Sequence, residues 1–432
     1  MLFKKKPFHK KAERCNIPLI DLAEKPDKMI EGTEYLYDYS VVDASSGYLG
    51  HPDSVLLRDG RILTFFPEGH GKGRIISKIS SDGGKTYTEK IENPPRSWEK
   101  SLETPTVYRL QFKNGTEKLI LISGNPKWVN TPTPGGFNCS ISEDEGKTWT
   151  EFKLFWDKNS EFPVIPIVSM ASLTRLKENG EFADKWMGLF HDSKFINYKT
   201  ILTFDENGDY NWSKPEPYLT EYRDIETYAG ICEVEAVRSN GGEGDEICLI
   251  ARCNKKTCNS LLMFSQDEGK TWSKPVEAPS ALNGERHKAD YTPDGRLFIT
   301  FRSIERNPSE VRKMRKLGGE HSWYSQGWVA WVGTYDDLKG ASSGQYRIKI
   351  AHTYLPRQNK PSIVANADTG YCGNVVLQDG TVVTSSYGIF SAEEKQDGAY
   401  NTDKGRQKRK TFIVSKRINL SDTDKILKNV AE

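Results

Sequence analysis

One turn recurs in this chain, and its spacing limits the possible folds more than any other feature. It reads SSDGGKTY at 80–87, SEDEGKTW at 142–149 and SQDEGKTW at 265–272. The three aspartates, Asp82, Asp144 and Asp267, are 62 and 123 residues apart, so the second gap is close to twice the first. A further copy is therefore expected near 205, where the sequence reads TFDENGDYNWSKP and Asp205 sits in place. The Trp-Ser-Lys-Pro of 212–215 repeats that of 272–275, and a fifth copy at 334–338, TYDDL, keeps only Asp336. A turn repeated at fixed spacing implies a structural unit repeated with it.

A second series runs ahead of the first. SVLLRDGRILTFF (54–66), 106–123, 172–190, 235–252, ADYTPDGRLFITFR (289–302) and NVVLQDGTVVTSSY (374–387) each read as strand, turn and strand. Asp-Gly and Asn-Gly in such positions are strong hairpin signals. A third strand, the Asp-containing turn and a fourth strand complete each unit of about 60 residues. No segment carries a helical period over three turns. Six such sheets predict an all-β, six-bladed β-propeller of four-stranded antiparallel sheets with Asp-box turns, spanning 41–432, with 1–40 as an N-terminal tail or closing segment. In each turn the Asp takes backbone N–H groups, Gly supplies φ > 0 and Trp packs between sheets, so the turns are scaffold.

The bulk properties narrow the partners. Lys plus Arg number 61 and Asp plus Glu 59, a net charge of +2 that gives no electrostatic reason for a nucleic-acid or membrane partner. No stretch reaches the roughly 20 apolar residues of a membrane span. The basic start, MLFKKKPFHKK, is not followed by an apolar run of signal-peptide length. A cytoplasmic protein is expected, or a secreted one if the sequence is a mature form. Cys15, Cys139, Cys232, Cys248, Cys253, Cys258 and Cys372 follow no metal spacing. Free thiols are expected, with no metal and no cofactor.

In a propeller the innermost strands converge on the axis, so the residues just before each hairpin are the candidates for chemistry. They supply His51 and Asp53 (GHPDS), Glu103 (SLETP), Glu233 and Glu235 (ICEVEA), Arg286, His287 and Asp290 (ERHKAD) and Tyr371 (TGYCGN). Only blade three, IVSMAS, is largely apolar. Titratable groups from five blades aimed at one point indicate a site.

The repeated S-x-D-x-G-x-T-W turns resemble those of the sialidase (neuraminidase) superfamily, the BNR or Asp-box proteins, over about residues 40–420. YCGNVVLQDG at 371–380 is similar to the context of that family's nucleophilic tyrosine. CEVEAVRSNGG leading to LIAR is similar to the context of its glutamate base and one of its arginines. The resemblance implies that Tyr371 attacks an anomeric carbon, that Glu233 takes its proton and that Arg252 binds substrate. The chemistry is reasonable, because a phenol is a weak nucleophile until a carboxylate within hydrogen-bond reach accepts its proton. A neutral tyrosine also suits an anionic sugar better than a carboxylate nucleophile would.

The sequence departs from the family in its arginines. Gly50-His51-Pro52 stands where the first arginine of the substrate-carboxylate triad is expected, and SQGWVAWVG (325–333) lacks the third. Arg302 is the candidate substitute. The loop FFPEGHGKGR (65–74) carries Glu68, His70, Lys72 and Arg74 but not the expected aspartate. His51 and Asp53, two residues apart and so on one side of a strand, are expected to supply acid or base, and His51, Asp53 or the Glu68–His70 pair to protonate the leaving oxygen. The reading is an exo-glycoside hydrolase for a terminal acidic or modified sugar, with carbohydrate its partner. Arg252, Arg302, Arg286, His287, Glu103, Glu68 and His70 are expected to bind the substrate. Two alternatives stay open. One is a uronic-acid lyase using His51, His287, Tyr371 and Arg252. The other is a non-catalytic carbohydrate-binding propeller, with Trp128, Trp323, Tyr324 and Trp328 stacking on sugars. The insertion at 303–326 is charged and reads as a solvated loop.

Overall fold

A computed structural model describes residues 12–45, 48–69, 73–100, 104–126, 133–316, 327–354, 368–390 and 411–431, together with the backbone of 402–403 and 406–407. The chain forms a six-bladed β-propeller of antiparallel sheets. The innermost strands are Asp53–Leu56, Thr106–Gln111, Pro166–Glu178, Ile231–Arg238, Gly284–Tyr291 and Cys372–Val376. Within blades one to five the strands step outward in sequence order. Blade one's fourth strand is reduced to a bridge between Ile79 and Glu89. Blade six takes its outermost strand, Ser40–Asp43, from the other end of the chain, where it pairs antiparallel with Phe412–Asn419. Leu19–Asp21 adds a parallel fifth strand to blade five, on Tyr346–Ala351.

An inner strand is the edge of its sheet, so its outward N–H groups need partners from elsewhere. The neighbouring blade supplies them. Val107 N–H donates to Asp53 Oδ2 (2.9 Å), Ala236 N–H to Ser172 Oγ (3.1 Å) and Ala289 N–H to Glu235 Oε1 (3.1 Å). Between the blades the sheets bury aromatic rings. Trp149 packs at 5.4 Å on Phe65 of blade one, and Trp212 at 5.4 Å on Phe137 of blade two, both edge-to-face. Such pairs contribute about 0.5–1.5 kcal/mol each beyond their area burial.

The three repeated turns share one hydrogen-bond set. In the last, Asp267 accepts from Thr271 N–H (2.9 Å), Thr271 Oγ1 (2.6 Å) and Ser265 Oγ (2.8 Å), while Gly269 N–H donates to Ser265 Oγ (2.9 Å). Burial pushes the Asp267 carboxyl up, but the Thr271 and Ser265 bonds outweigh it and hold the group below its ordinary range. Two of the turns also fasten their blade to the one before. Glu268, left-handed at φ 58°, binds Arg238 of its own blade through both oxygens (2.8 and 2.6 Å) and accepts Lys177 N–H (2.9 Å) from the hairpin of blade three. Glu145 does the same with Arg109 and the N–H of Arg58. Replacing Asp267 by Ala strands these donors, and a loss of about 1–3 kcal/mol is expected, read as a lower denaturant midpoint at unchanged slope.

Three stretches differ from the sequence reading. Around Asp336 the chain forms not a degenerate turn but a short helix, Tyr335–Lys339, started by a capping box between Thr334 and Asp337. A C-terminal helix, Leu420–Ala431, follows directly from the last strand. At barely three turns it shows too few repeats of the helical period to stand out in sequence. It begins where Asn419 Oδ1 caps the Ser421 N–H (3.0 Å), and Thr423 Oγ1 meets Tyr346 Oη at 2.9 Å. Part of the 303–326 insertion, Pro308–Lys316, is also helical.

Candidate active site

The backbone changes conformation where the inner strands begin. His51 (φ 48°), Met170 (φ 51°), Glu233 (φ 48°), Arg286 (φ 53°) and Gly370 (φ 82°) are all left-handed. In blades three, four and five this residue sits inside a register shift of the inner strand. A bulge of this kind re-aims a side chain, and four non-glycine residues in this region are costly enough to mark a functional constraint. Gly370 is required twice over, since a Cβ there would also lie 2.7 Å from Arg302 Cα.

The re-aimed residues meet others at the axis. Tyr371 Oη donates to Glu233 Oε1 at 2.6 Å, and Arg252 Nη1 donates to both that oxygen (2.8 Å) and Tyr371 Oη (3.0 Å). The Arg302 guanidinium lies 4.7 Å over the Tyr371 ring. It donates through Nε to Thr369 O (2.7 Å), through Nη1 to Glu285 Oε2 (2.9 Å) and through Nη2 to Tyr387 Oη (2.9 Å). Glu285 Oε1 pairs with Arg252 Nη2 and Lys256 Nζ, each at 3.0 Å. Tyr387 in turn donates to Asp368 Oδ1 (3.1 Å). Tyr371, Glu233, Arg252, Glu285 and Arg302 are all buried.

The electrostatics follow from this packing. Burial alone would push the Glu233 carboxyl up, but the Arg252 charge and the Tyr371 hydrogen bond hold it at about 2. Burial and the adjacent Glu233 charge push the Tyr371 phenol well above its ordinary value, against Arg252 and Arg302. The resting pair is thus carboxylate and phenol, with the shared proton on oxygen of the tyrosine. Glu233 Oε2 is buried and accepts no hydrogen bond among the described residues.

Other expected site residues go elsewhere. The His51 ring stands edge-on to Tyr371 (4.9 Å) and Tyr387 (4.8 Å), at the centre. Asp53 does not share its surroundings, because the left-handed turn at His51 breaks the strand alternation. Its carboxylate serves Val107 N–H and lies 3.6 Å from Lys288 Nζ. Arg286 reaches across the axis to Ala171 O (2.8 Å). His287 stacks on Phe301 in the interior, with Nε2 3.0 Å from Leu282 O. Glu68 pairs with Arg74 (3.0 Å) at the surface. Trp328 is wholly buried in the blade-five core, so it offers no face to a ligand. Glu103, His70, Lys72, Trp128, Trp323 and Tyr324 lie outside the described residues.

Four participants were missed in the sequence. Glu285 precedes a bulge that hides its facing. Tyr387 and Lys256 sit in ordinary strand-end and loop contexts. His191, buried at the end of blade three's second strand, is lowered to about 4 by burial despite the Glu233 charge, and so is neutral. Only Glu285 carried a signal, as the first of three consecutive charged or titratable residues, Glu285-Arg286-His287, at a strand start.

No family model matches the chain. It is 28% identical to a sialidase of Clostridium perfringens over 149 residues, which are 30% of this chain and 36% of that protein. Among solved structures, a variant of the NanB sialidase of Streptococcus pneumoniae superposes with a TM-score of 0.56 at 12% identity, over 89% of this chain and 71% of the sialidase. The fold is the sialidase-type propeller. An α-L-arabinanase of Penicillium chrysogenum in complex with arabinobiose has the same sialidase-type fold, with a TM-score of 0.54 at 12% identity over 89% of this chain and 98% of its own. So does a Dyadobacter fermentans protein of unknown function, with a TM-score of 0.54 at 15% identity over 88% and 97% of the two chains. At these identities the likeness concerns the sialidase-type fold alone.

Proposed function

We propose that this chain is a retaining exo-glycoside hydrolase in which Tyr371 is the nucleophile and Glu233 its base. The observation that carries the reading is the buried 2.6 Å hydrogen bond from Tyr371 Oη to Glu233 Oε1, with Arg252 bridging both oxygens. As Oη forms its bond to the anomeric carbon, its proton passes to Glu233 and the bond from that carbon to the leaving oxygen breaks. Arg252 and Arg302 stabilise the phenolate character that develops. The leaving oxygen needs a proton, and of His51 and Asp53 only His51 lies against Tyr371, so the role falls to His51. Water then attacks the anomeric carbon and breaks the tyrosyl-sugar bond: His51, left neutral by the first step, takes the water's proton, Glu233 returns its proton to Oη, and the second inversion gives net retention. Glu233 Oε2, with lone pairs unused, is placed to accept from a sugar hydroxyl.

The test is fluorophore release from a panel of aryl glycosides, α-sialoside, α-L-arabinofuranoside and β-glucuronide among them, with the product anomer read by NMR. Release with retained configuration is expected for at least one member. A product absorbing near the ultraviolet edge from a new double bond would replace hydrolysis by elimination. Saturable sugar binding with no turnover would make the protein a lectin.

A further inference from the structure

The arginines that make an acidic sugar attractive in the sequence are already occupied. Glu285 stands directly across the sheet from Arg302, and its carboxylate lies between the guanidinium groups of Arg302 (2.9 Å) and Arg252 (3.0 Å). Lys256 Nζ closes the third side at 3.0 Å. Three cations thus surround one carboxylate, with Arg302 on Oε2 and Arg252 and Lys256 on Oε1, and the side chain that fills the place is 1% exposed. The position is rigid. Gly284 lets the strand lie against its neighbour, since a Cβ there would meet Phe301 at 2.2 Å and Arg302 O at 2.5 Å. Arg302 cannot swing away without releasing Thr369, Tyr387 and the face of Tyr371.

The charges also balance before any sugar arrives. Among the described residues around Tyr371, Arg252, Arg302 and Lys256 face Glu233, Glu285 and, through Tyr387, Asp368. Arg252 Nε has no hydrogen-bond partner among the described residues, but a further carboxylate there would add an uncompensated negative charge to a buried site whose charges already cancel, which is strongly unfavourable.

We infer that Glu285 is the specificity-determining residue of this site. It fills the carboxylate position between Arg252 and Arg302, and the sugar that reaches Tyr371 is neutral on that side. The inference rests on reading the site as a sugar site, and it narrows the acidic or modified sugar of the sequence reading to a neutral one.

Removing the carboxylate should open a slot for a small one. Glu285→Ala and wild type are melted in sodium chloride and in sodium formate or acetate at equal ionic strength. In chloride the variant should melt well below wild type. Formate should raise its Tm saturably at millimolar concentrations and leave wild type unmoved, a response that mere loss of packing would not give. Equal shifts in both proteins, or none in the variant, overturn the inference. Glu285→Gln keeps the volume, removes the charge and covers the case in which the alanine variant does not fold. Because it leaves Arg252, Arg302 and Lys256 in excess over the carboxylates, it should bind N-acetylneuraminate or glucuronate at least tenfold more tightly than wild type does, and an unchanged affinity overturns the inference. On the aryl glycoside panel, wild type should favour neutral sugars over acidic ones by at least tenfold, and the opposite order overturns it. The melting arm needs no turnover. A protein silent on every glycoside that still shows formate-specific rescue would refute the hydrolase reading and leave Glu285 in its role.

Discussion

Tyr371→Phe is expected to lower kcat by about 10³-fold or more on whichever glycoside the wild type cleaves, because it removes the attacking oxygen and nothing else. The ring keeps its neighbours, His51 at one edge and the Arg302 guanidinium over its face. Arg252 still neutralises Glu233, so no buried charge is left alone. The fold should therefore persist, with an unchanged near-ultraviolet circular dichroism spectrum beside the lost rate. A variant that keeps a tenth of the wild-type rate would show that another group attacks the anomeric carbon. Glu233, the remaining carboxylate beside that position, would be the first to test.

Glu233→Gln should cost about 10²–10⁴-fold in kcat through loss of the base. It should also cost stability, of the order of 3–5 kcal/mol, because Arg252 loses one of its two buried carboxylate partners. Acid titration separates the two effects. The carboxyl of Glu233 is held at about 2, against its burial, by the Arg252 charge and the Tyr371 hydrogen bond. The unfolded chain takes up that proton first as the pH falls. The stabilisation is thus fully present above the ordinary carboxylate range, near 4.5, and disappears as the pH drops toward 2. Wild type should lose stability across this window by an increment that Glu233→Gln lacks. If both proteins follow the same acid denaturation curve, Glu233 is not the ion-paired carboxylate described here. With its carboxyl held at about 2, Glu233 should not set the acid limb of activity above pH 4.

The scaffold was readable because its determinants are local. Asp82, Asp144 and Asp267 each bond residues within four positions, so the turn and its cause share one short motif. Tyr371 and Glu233 were readable through their resemblance, since strand and turn context travels with them. The site's fine structure was not, and the reason is geometric. Alternation assigns faces by counting in twos, and a left-handed bulge shifts the count. His51 and Asp53 look like partners on that count, yet one meets Tyr371 and the other binds blade two. Glu285 lies just before the shift at Arg286, so its facing could not be counted from Asp290. Tyr387 enters the site from the outgoing strand of blade six, where Thr-Ser-Ser-Tyr carries no chemical signature.

The pairing of Ser40–Asp43 with Phe412–Asn419 sets the order in which the molecule can be completed. Ser40–Asp43 must wait for Phe412–Asn419 to be synthesised, so the ring cannot shut before that strand has emerged. Blades one to five can form as each hairpin appears, but Tyr371 and Arg302 remain unsupported until blade six joins blade one across Gly373, whose added Cβ would fall 2.6 Å from Ser54 N. Closing so long a loop is slow, which makes ring closure the late step of folding and puts assembly of the Tyr371 site after it. Removing the last two dozen residues would take the whole of Phe412–Asn419 with the C-terminal helix, and would leave five intact sheets around an axis at which Tyr371 has lost its support.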